Sequence, residues 1–155
     1  MNAWEGRRFA VRIENGYEIA DTPDAVAVVA IDGEGRVVLV RQHRPAVGAD
    51  VLELPAGLID DGEEPLATAK RELREETGLR GGSWRELVSF WTSPGFVNER
   101  VTVFAAHELE EGEPEPDDGE DLELVRVPLA DVAARLPELE NATTLVGLLL
   151  YLRGR

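Results

Sequence analysis

Three glutamates, Glu72, Glu75 and Glu76, stand at i, i+3 and i+4 within the stretch PLATAKRELREET. On a helix, those spacings put all three carboxylates on one face. Pro65 suits the first helical turn, where its missing N–H has no partner to lose. Leu66, Ala69 and Leu73 recur at helical spacing as one apolar stripe, and Gly78 suits the left-handed residue that ends a helix. The pattern predicts a helix over 65–77. Like charges at this spacing repel by roughly 0.2–0.5 kcal/mol per pair, and the macrodipole disfavours anions near a helix C-terminus. A chain that gathers acid there has a use for a cation. Hard divalent ions such as Mg²⁺ take carboxylate, carbonyl and water oxygens, often together with substrate phosphates. Arg71 can pair with Glu75 at i+4 or reach back to Glu63, and either pairing would aim one carboxylate. The plain alternative is a solvated acidic face in an acidic protein.

The surrounding residues extend the pattern. Gly57, five residues, Glu63, seven more residues and then RELREETGL, from Arg71 to Leu79, resemble the Nudix box at every fixed position. The resemblance implies an α/β Nudix fold, a mixed β-sheet in an α/β/α sandwich. It also implies an enzyme that splits a nucleoside diphosphate linked to another group, X, with the help of a divalent metal. Glu72 and Glu76, assisted by Glu75, would then carry the metal. Three further stretches are similar to the ADP-ribose pyrophosphatase branch of that family: RQHRP at 41–45, ELPAG at 53–57, and SPGF at 93–96 followed by Glu99, with Pro94 sixteen positions after Gly78. The likeness runs from about Ala25 to the C-terminus and covers the first strands more loosely.

Carried over residue by residue, this resemblance implies that Ala56 offers its carbonyl to a metal. Arg44, with Arg41 nearby, would meet the diphosphate or the adenosine half. Ser93, in the turn with Gly95 and Phe96, would meet the terminal ribose, and Glu53 would support the site or bind a second metal. Position makes Glu99 the expected base or orienter of the attacking water, since a turn that meets the terminal ribose delivers the next acid to the scissile bond; Arg71 and the three box glutamates are the other expected catalytic residues. The rival of Glu99 is Glu120, which lies with Asp118 on an acidic loop where some members keep a mobile glutamate. Gly16 departs from the pattern, standing where some members hold a substrate-contacting arginine. The activity implied is Mg²⁺- or Mn²⁺-dependent hydrolysis of ADP-ribose to AMP and ribose 5-phosphate. Two alternatives stay open: another X, such as a nucleotide sugar, dinucleoside polyphosphate or NADH, or a non-catalytic sensor of ADP-ribose. The intact set of carboxylates speaks for an enzyme.

The elements that must position these residues are legible in outline. Asn15-Gly16 is the preferred pair for a two-residue turn between strands at 8–13 and 17–22. VAVVAI, within a strand at 25–31, reads as a strand buried on both faces, followed by a strand at 36–42. Further strands are expected at 51–54, 84–91, 100–109 and 122–127, with helices over 128–136 and 141–153, the last capped by Asn141. EEGEPEPDDGED, between the last two strands, reads as a solvated connection. His43 and His107 read as structural, and Trp4, Trp84 and Trp91 as core or interface anchors.

Composition bounds the rest. At 155 residues the chain suits one domain, 1–155; the resemblance implies that the hairpin in the first 24 residues serves dimerisation, two-fold pairs being the commonest oligomers. A formal net charge of −15 argues against a nucleic-acid partner, and no apolar run reaches the roughly 20 residues of a membrane span. With no cysteine and no signal-like apolar stretch at the start, a cytoplasmic protein is expected. The partners implied are a nucleoside diphosphate substrate and a second copy of the chain.

Overall fold

A computed structural model of the protein describes residues 2–115 and 121–154. The chain opens with β1 (Asn2–Glu5), β2 (Ala10–Glu14) and β3 (Tyr17–Asp21), a three-stranded antiparallel sheet of its own. Asn15 and Gly16 take φ of 51° and 84°, the double positive φ that a type I′ turn requires. The expected hairpin is therefore present, with a third strand added. β1 was not legible, because so short an edge strand is held by its pairing with β2 and has little pattern of its own.

The main sheet holds β4 (Ala25–Ile31), β5 (Arg36–Arg44), β6 (Ala49–Glu53), β7 (Ala56–Leu58), β8 (Arg80–Trp91), β9 (Arg100–Glu110) and β10 (Glu123–Pro128). Its order is β10-β5-β4-β9-β8, with β4 and β9 parallel and the other neighbours antiparallel, hence a mixed sheet. Helix α1 (Pro65–Thr77) covers one face, where Ala69 and Leu73 meet Val26, Val28, Ala30 and Val38. Helix α3 (Ala142–Arg153) covers the other, where Leu148 and Tyr151 meet Ala27, Val29, Leu39 and Val103. Every residue of β4 is buried, which is why its sequence is an unbroken apolar run. Fully burying a side chain such as Leu73 is worth roughly 1.5–3 kcal/mol, so this stripe fixes which face α1 turns outward. Leu66 departs from the expected stripe. It lies in the first turn, beyond the sheet's cover, and is 38% exposed.

A fork in the sheet decides the site. β4 and β5 pair only at their joined ends, Ala30 with Val38 and Ile31 with Val37, and then diverge. The following chain runs into the gap, pairing with β5 as β6 and with β4 as β7. Between these ladders lie Leu54 and Pro55.

Two boundaries correct the sequence reading. Pro128 ends the edge strand β10, where its lack of an N–H costs nothing, instead of starting a helix. Helical structure begins later, as the single turn α2 (Val132–Arg135), and continues as a 3₁₀ turn over Leu136–Glu138. β8 starts at Arg80 and not Trp84. Gly81 and Gly82, at φ of 72° and 76°, look like turn residues, yet this stretch is laddered against the end of β9. Among the described residues, no helix is long and apolar enough to cross a membrane.

Candidate active site

Helix α1 starts with Pro65 in its first turn and stops at Gly78, whose φ of 77° lets its N–H reach the Arg74 carbonyl at 2.8 Å. With Leu73 and Ala69 locked inward, Glu72 and Glu76 take the flank toward β7, and Glu75 joins Glu72 through their shared partner Arg71. Glu76 is only 5% exposed, and its Oε2 accepts the Ala56 N–H at 3.1 Å. Glu72 lies directly over Gly57: a Cβ added there would come within 2.0 Å of the Glu72 Cδ. Gly57 leaves the space in which the Glu72 carboxylate stands, and its backbone is not left-handed.

Arg71 satisfies both pairings left open by the sequence. Its Nε and Nη2 hold Glu63 at 3.2 and 3.0 Å, while Nη1 reaches Glu72 at 2.7 Å and Glu75 at 3.1 Å. Hydrogen bonding from Arg71 draws the Glu63 carboxyl down to about 2, and the same contacts raise the arginine further above its usual value. Arg71 thus acts as an internal counter-ion for the acidic flank.

The geometry of Ala56 follows from its ladder. Val28 donates to the Pro55 carbonyl at 2.9 Å and Ile59 to the Asp24 carbonyl at 2.8 Å. Antiparallel pairs alternate, so Val26–Gly57 is the next hydrogen-bonded pair and Ala27–Ala56 lies between two such pairs. Both the N–H and the C=O of Ala56 therefore face away from β4. The N–H meets Glu76, and the carbonyl opens to the same side. One backbone carbonyl and three carboxylates make a hard-oxygen donor set that suits Mg²⁺ or Mn²⁺. Among the described residues, no three His, Asp or Glu side chains are arranged as a ready-made cage. An ion would compete with Arg71 for Glu72 and Glu75. The donor types and the direction of Ala56 fit the group.

The other expected residues fall into separate clusters. Arg44 and the buried Glu53 form a two-pronged pair at 2.9 and 2.5 Å, which offsets the arginine's charge and occupies both Glu53 oxygens. Arg41 pairs with Glu123 across β5 and β10 at 3.1 Å. The Ser93 carbonyl accepts from Phe96 and Val97, so residues 93–97 make a tight turn carrying the exposed Gly95 and Phe96. That turn is fastened to the N-terminal sheet: Ala20 donates to the Phe96 carbonyl at 2.8 Å, and Asn98 Oδ1 accepts the Thr22 N–H at 2.8 Å while its Nδ2 donates to Asp21. Glu99 follows directly, its carbonyl accepting from Thr92 at 3.2 Å. Asp118 and Glu120 lie outside the described residues.

The sequence offered no signal for Asn98 as a fastener, nor for Arg7 and Arg8. Those arginines border an open cleft of about 530 Å³ between the N-terminal sheet and the loop over Asp60–Gly62. His43 bonds Asp50 at 2.9 Å on the surface, and His107 lies 5.5 Å from the Tyr151 ring, both structural positions. Trp84 packs beside the core against Phe104, whereas Trp4 and Trp91 are half exposed.

The NUDIX domain family matches residues 21–145. An ADP-ribose pyrophosphatase of Bacillus subtilis is 44% identical, over 78% of this chain and 69% of its own. One from Mycobacterium tuberculosis is 41% identical over 92% and 73%. The crystal structure of an ADP compounds hydrolase superposes with a TM-score of 0.81 at 27% identity, covering 99% of this chain and 91% of its own. The match spans β4 through the start of α3 and includes both the forked sheet and the acidic flank of α1, so the chain belongs to the Nudix family.

Proposed function

We propose that this protein is a divalent-metal-dependent hydrolase of ADP-ribose, releasing AMP and ribose 5-phosphate. The observation that carries the reading is the meeting of Ala56 with the acidic flank of α1 in a chain whose relatives include ADP-ribose pyrophosphatases. Glu72, Glu75, Glu76 and the Ala56 carbonyl hold Mg²⁺ or Mn²⁺. When bound, the metal withdraws charge from the diphosphate and makes a bound water more acidic. The chain's own residues do the rest. Arg71 gathers Glu63, Glu72 and Glu75 so that their directions are set before metal arrives. Arg44, released in part from Glu53, and Arg41 neutralise the non-bridging phosphate oxygens. The Ser93–Phe96 turn receives the terminal ribose, and Glu99 orients or deprotonates the attacking water, with Glu120 as the alternative base.

Residues 1–155 work as one domain, and the N-terminal sheet pairs two copies into a homodimer. Trp4, Ile13 and Tyr17 are all more than half exposed there, an apolar set that a partner would cover. A cysteine-free, acidic nucleotide hydrolase suits the cytoplasm. The test is a panel of ADP-ribose, nucleotide sugars, dinucleoside polyphosphates and NADH, with products analysed after reaction in H₂¹⁸O. AMP and ribose 5-phosphate from ADP-ribose at the highest kcat/KM is the expected result. A clear preference for another X overturns the substrate, and binding without turnover overturns the enzyme. Sedimentation of the intact chain at working concentration checks the dimer, which a monodisperse, fully active monomer would refute.

A further inference from the structure

The forked sheet poses an accounting problem at its tip. β6 ends at Glu53 and β7 begins at Ala56; of the two residues between, Pro55 still accepts from Val28 at 2.9 Å, whereas the Leu54 N–H has its partner in neither ladder. Leu54 is 1% exposed, and a buried backbone N–H needs an acceptor. That acceptor comes from the opposite side of the sheet: Thr144 Oγ1, in the first turn of α3, receives the Leu54 N–H at 3.0 Å. Thr144 is itself 1% exposed, and its own N–H is capped by Asn141 Oδ1 at 2.9 Å, so the hydroxyl sits on an anchored turn. α3 can come this close because residue 147 is glycine, where an added Cβ would meet Leu54 Cδ1 at 2.8 Å and Val103 Cγ1 at 3.1 Å. Two residues beyond Leu54, Ala56 places its N–H on Glu76. On the other side of Leu54, Glu53 grips Arg44.

We propose that Thr144 is a positioning residue for the metal site, its buried hydroxyl holding the Leu54–Pro55 crossover so that Ala56 meets Glu76 in register. The inference rests on the reading that Ala56 and the α1 glutamates bind the metal. It assigns a role to a helix on the far face of the sheet, which contributes no charged group to the site. Valine in place of threonine keeps the shape and leaves the Leu54 N–H without its acceptor, so the crossover keeps its tie to β4 through the Pro55 carbonyl and loses its tie to α3. Serine keeps the acceptor.

The experiment is direct Mn²⁺ binding by paramagnetic resonance and calorimetry on the full chain, without substrate, for wild type, Thr144→Val, Thr144→Ser and Glu72→Gln. Removing groups that orient metal ligands from outside typically costs 10–100-fold in affinity, and about that loss is expected for Thr144→Val, with Thr144→Ser close to wild type. In turnover, Thr144→Val should raise the metal concentration needed for half activity more than it lowers kcat at saturating metal. If Glu72→Gln weakens Mn²⁺ binding while Thr144→Val, folded, binds as wild type does, the positioning role is overturned and the site stands. If Glu72→Gln leaves Mn²⁺ binding unchanged, the site reading fails, and the proposal with it. Equal loss in Thr144→Val and Thr144→Ser also overturns it, since general disturbance of α3 would then suffice. Should the valine variant not fold, Mg²⁺ titration of the wild type by ¹H–¹⁵N NMR decides. The Leu54 amide should shift together with that of Ala56, and a Leu54 amide that stays still while Ala56 moves refutes the coupling.

Discussion

Gly57→Ala tests the site with a single methyl group. The backbone at Gly57 is one that any residue adopts, and the exchange trims unfolded-chain freedom, which by itself stabilises by about 0.4–1 kcal/mol. The new Cβ, however, would stand 2.0 Å from Glu72 Cδ and 2.2 and 2.5 Å from its two oxygens. Ordinary contact begins near 3.4 Å, so the carboxylate must withdraw by about 1.4 Å. The obstacle is the far end of a flexible side chain, so the fold survives. The variant loses the Arg71–Glu72 bond at 2.7 Å, while Arg71 keeps Glu63 and Glu75. Gain and loss offset to within about 1 kcal/mol, and Tm should hardly move. Activity is another matter, because a misplacement of ~1 Å at a reacting centre can cost about 10²-fold. The assay compares kcat at saturating Mg²⁺, Mn²⁺ affinity and Tm for wild type, Gly57→Ala and Gly33→Ala. Gly33 lies in the β4–β5 turn, and among the described residues nothing stands near its would-be Cβ, so that exchange should leave turnover and metal affinity unchanged and Tm equal or slightly higher. Wild-type metal affinity and turnover in Gly57→Ala would show that the Glu72 carboxylate need not be where it stands, and the site geometry argued above would be wrong.

Four other outcomes follow from the same contacts. Glu76→Gln keeps an oxygen for the Ala56 N–H but removes one of the three carboxylate charges, so turnover should fall by orders of magnitude with Tm in metal-free buffer equal or higher; near-normal activity at limiting Mg²⁺ would refute it. Glu63 has its pKa lowered from an ordinary 4.5 to about 2, so its stabilising contribution is full above about pH 4.5 and disappears as pH falls toward 2. Urea midpoints of Glu63→Gln should therefore lie below wild type at neutral pH and converge with it across that window, and a gap that stays constant down to pH 2 would count against the Arg71–Glu63 pairing. Asn98→Ala cuts the fastening of the Ser93–Glu99 turn to Asp21 and Thr22, and should raise KM for ADP-ribose several-fold with Mn²⁺ affinity unchanged; an unaltered KM would detach that turn from substrate binding. A general base contributes typically 10²–10⁴-fold, so Glu99→Gln should collapse kcat while Glu120→Gln keeps most of it; the reverse result moves the base to the acidic loop, and modest losses in both mean that the metal alone activates the water.

Local physics alone determined much of this protein. Helix α1, its proline start, its Gly78 stop and the shared face of Glu72, Glu75 and Glu76 follow from spacing, because a helix's period is set within a few residues. The buried β4 and the Asn15-Gly16 turn were legible for the same reason, as both depend on neighbours in the chain. What only the tertiary structure decided involves partners far apart in sequence. β7 is three residues long and exists because β4 and β5 diverge and leave a gap to fill. Leu66 looks apolar-facing by period, yet it lies beyond the sheet's cover. Pro128 reads as a helix start, but at an edge strand a missing N–H is harmless, so it ends β10 instead. Arg44 carries a charge suited to phosphate, and the fold gives it Glu53, nine residues on, as a bidentate partner. Thr144 is an unremarkable helix residue in the sequence, ninety positions from the backbone N–H it receives. Spacing along one element can show which side chains share a face. It cannot show which buried N–H lacks a partner, because that depends on where two strands part and which helix lies across the gap.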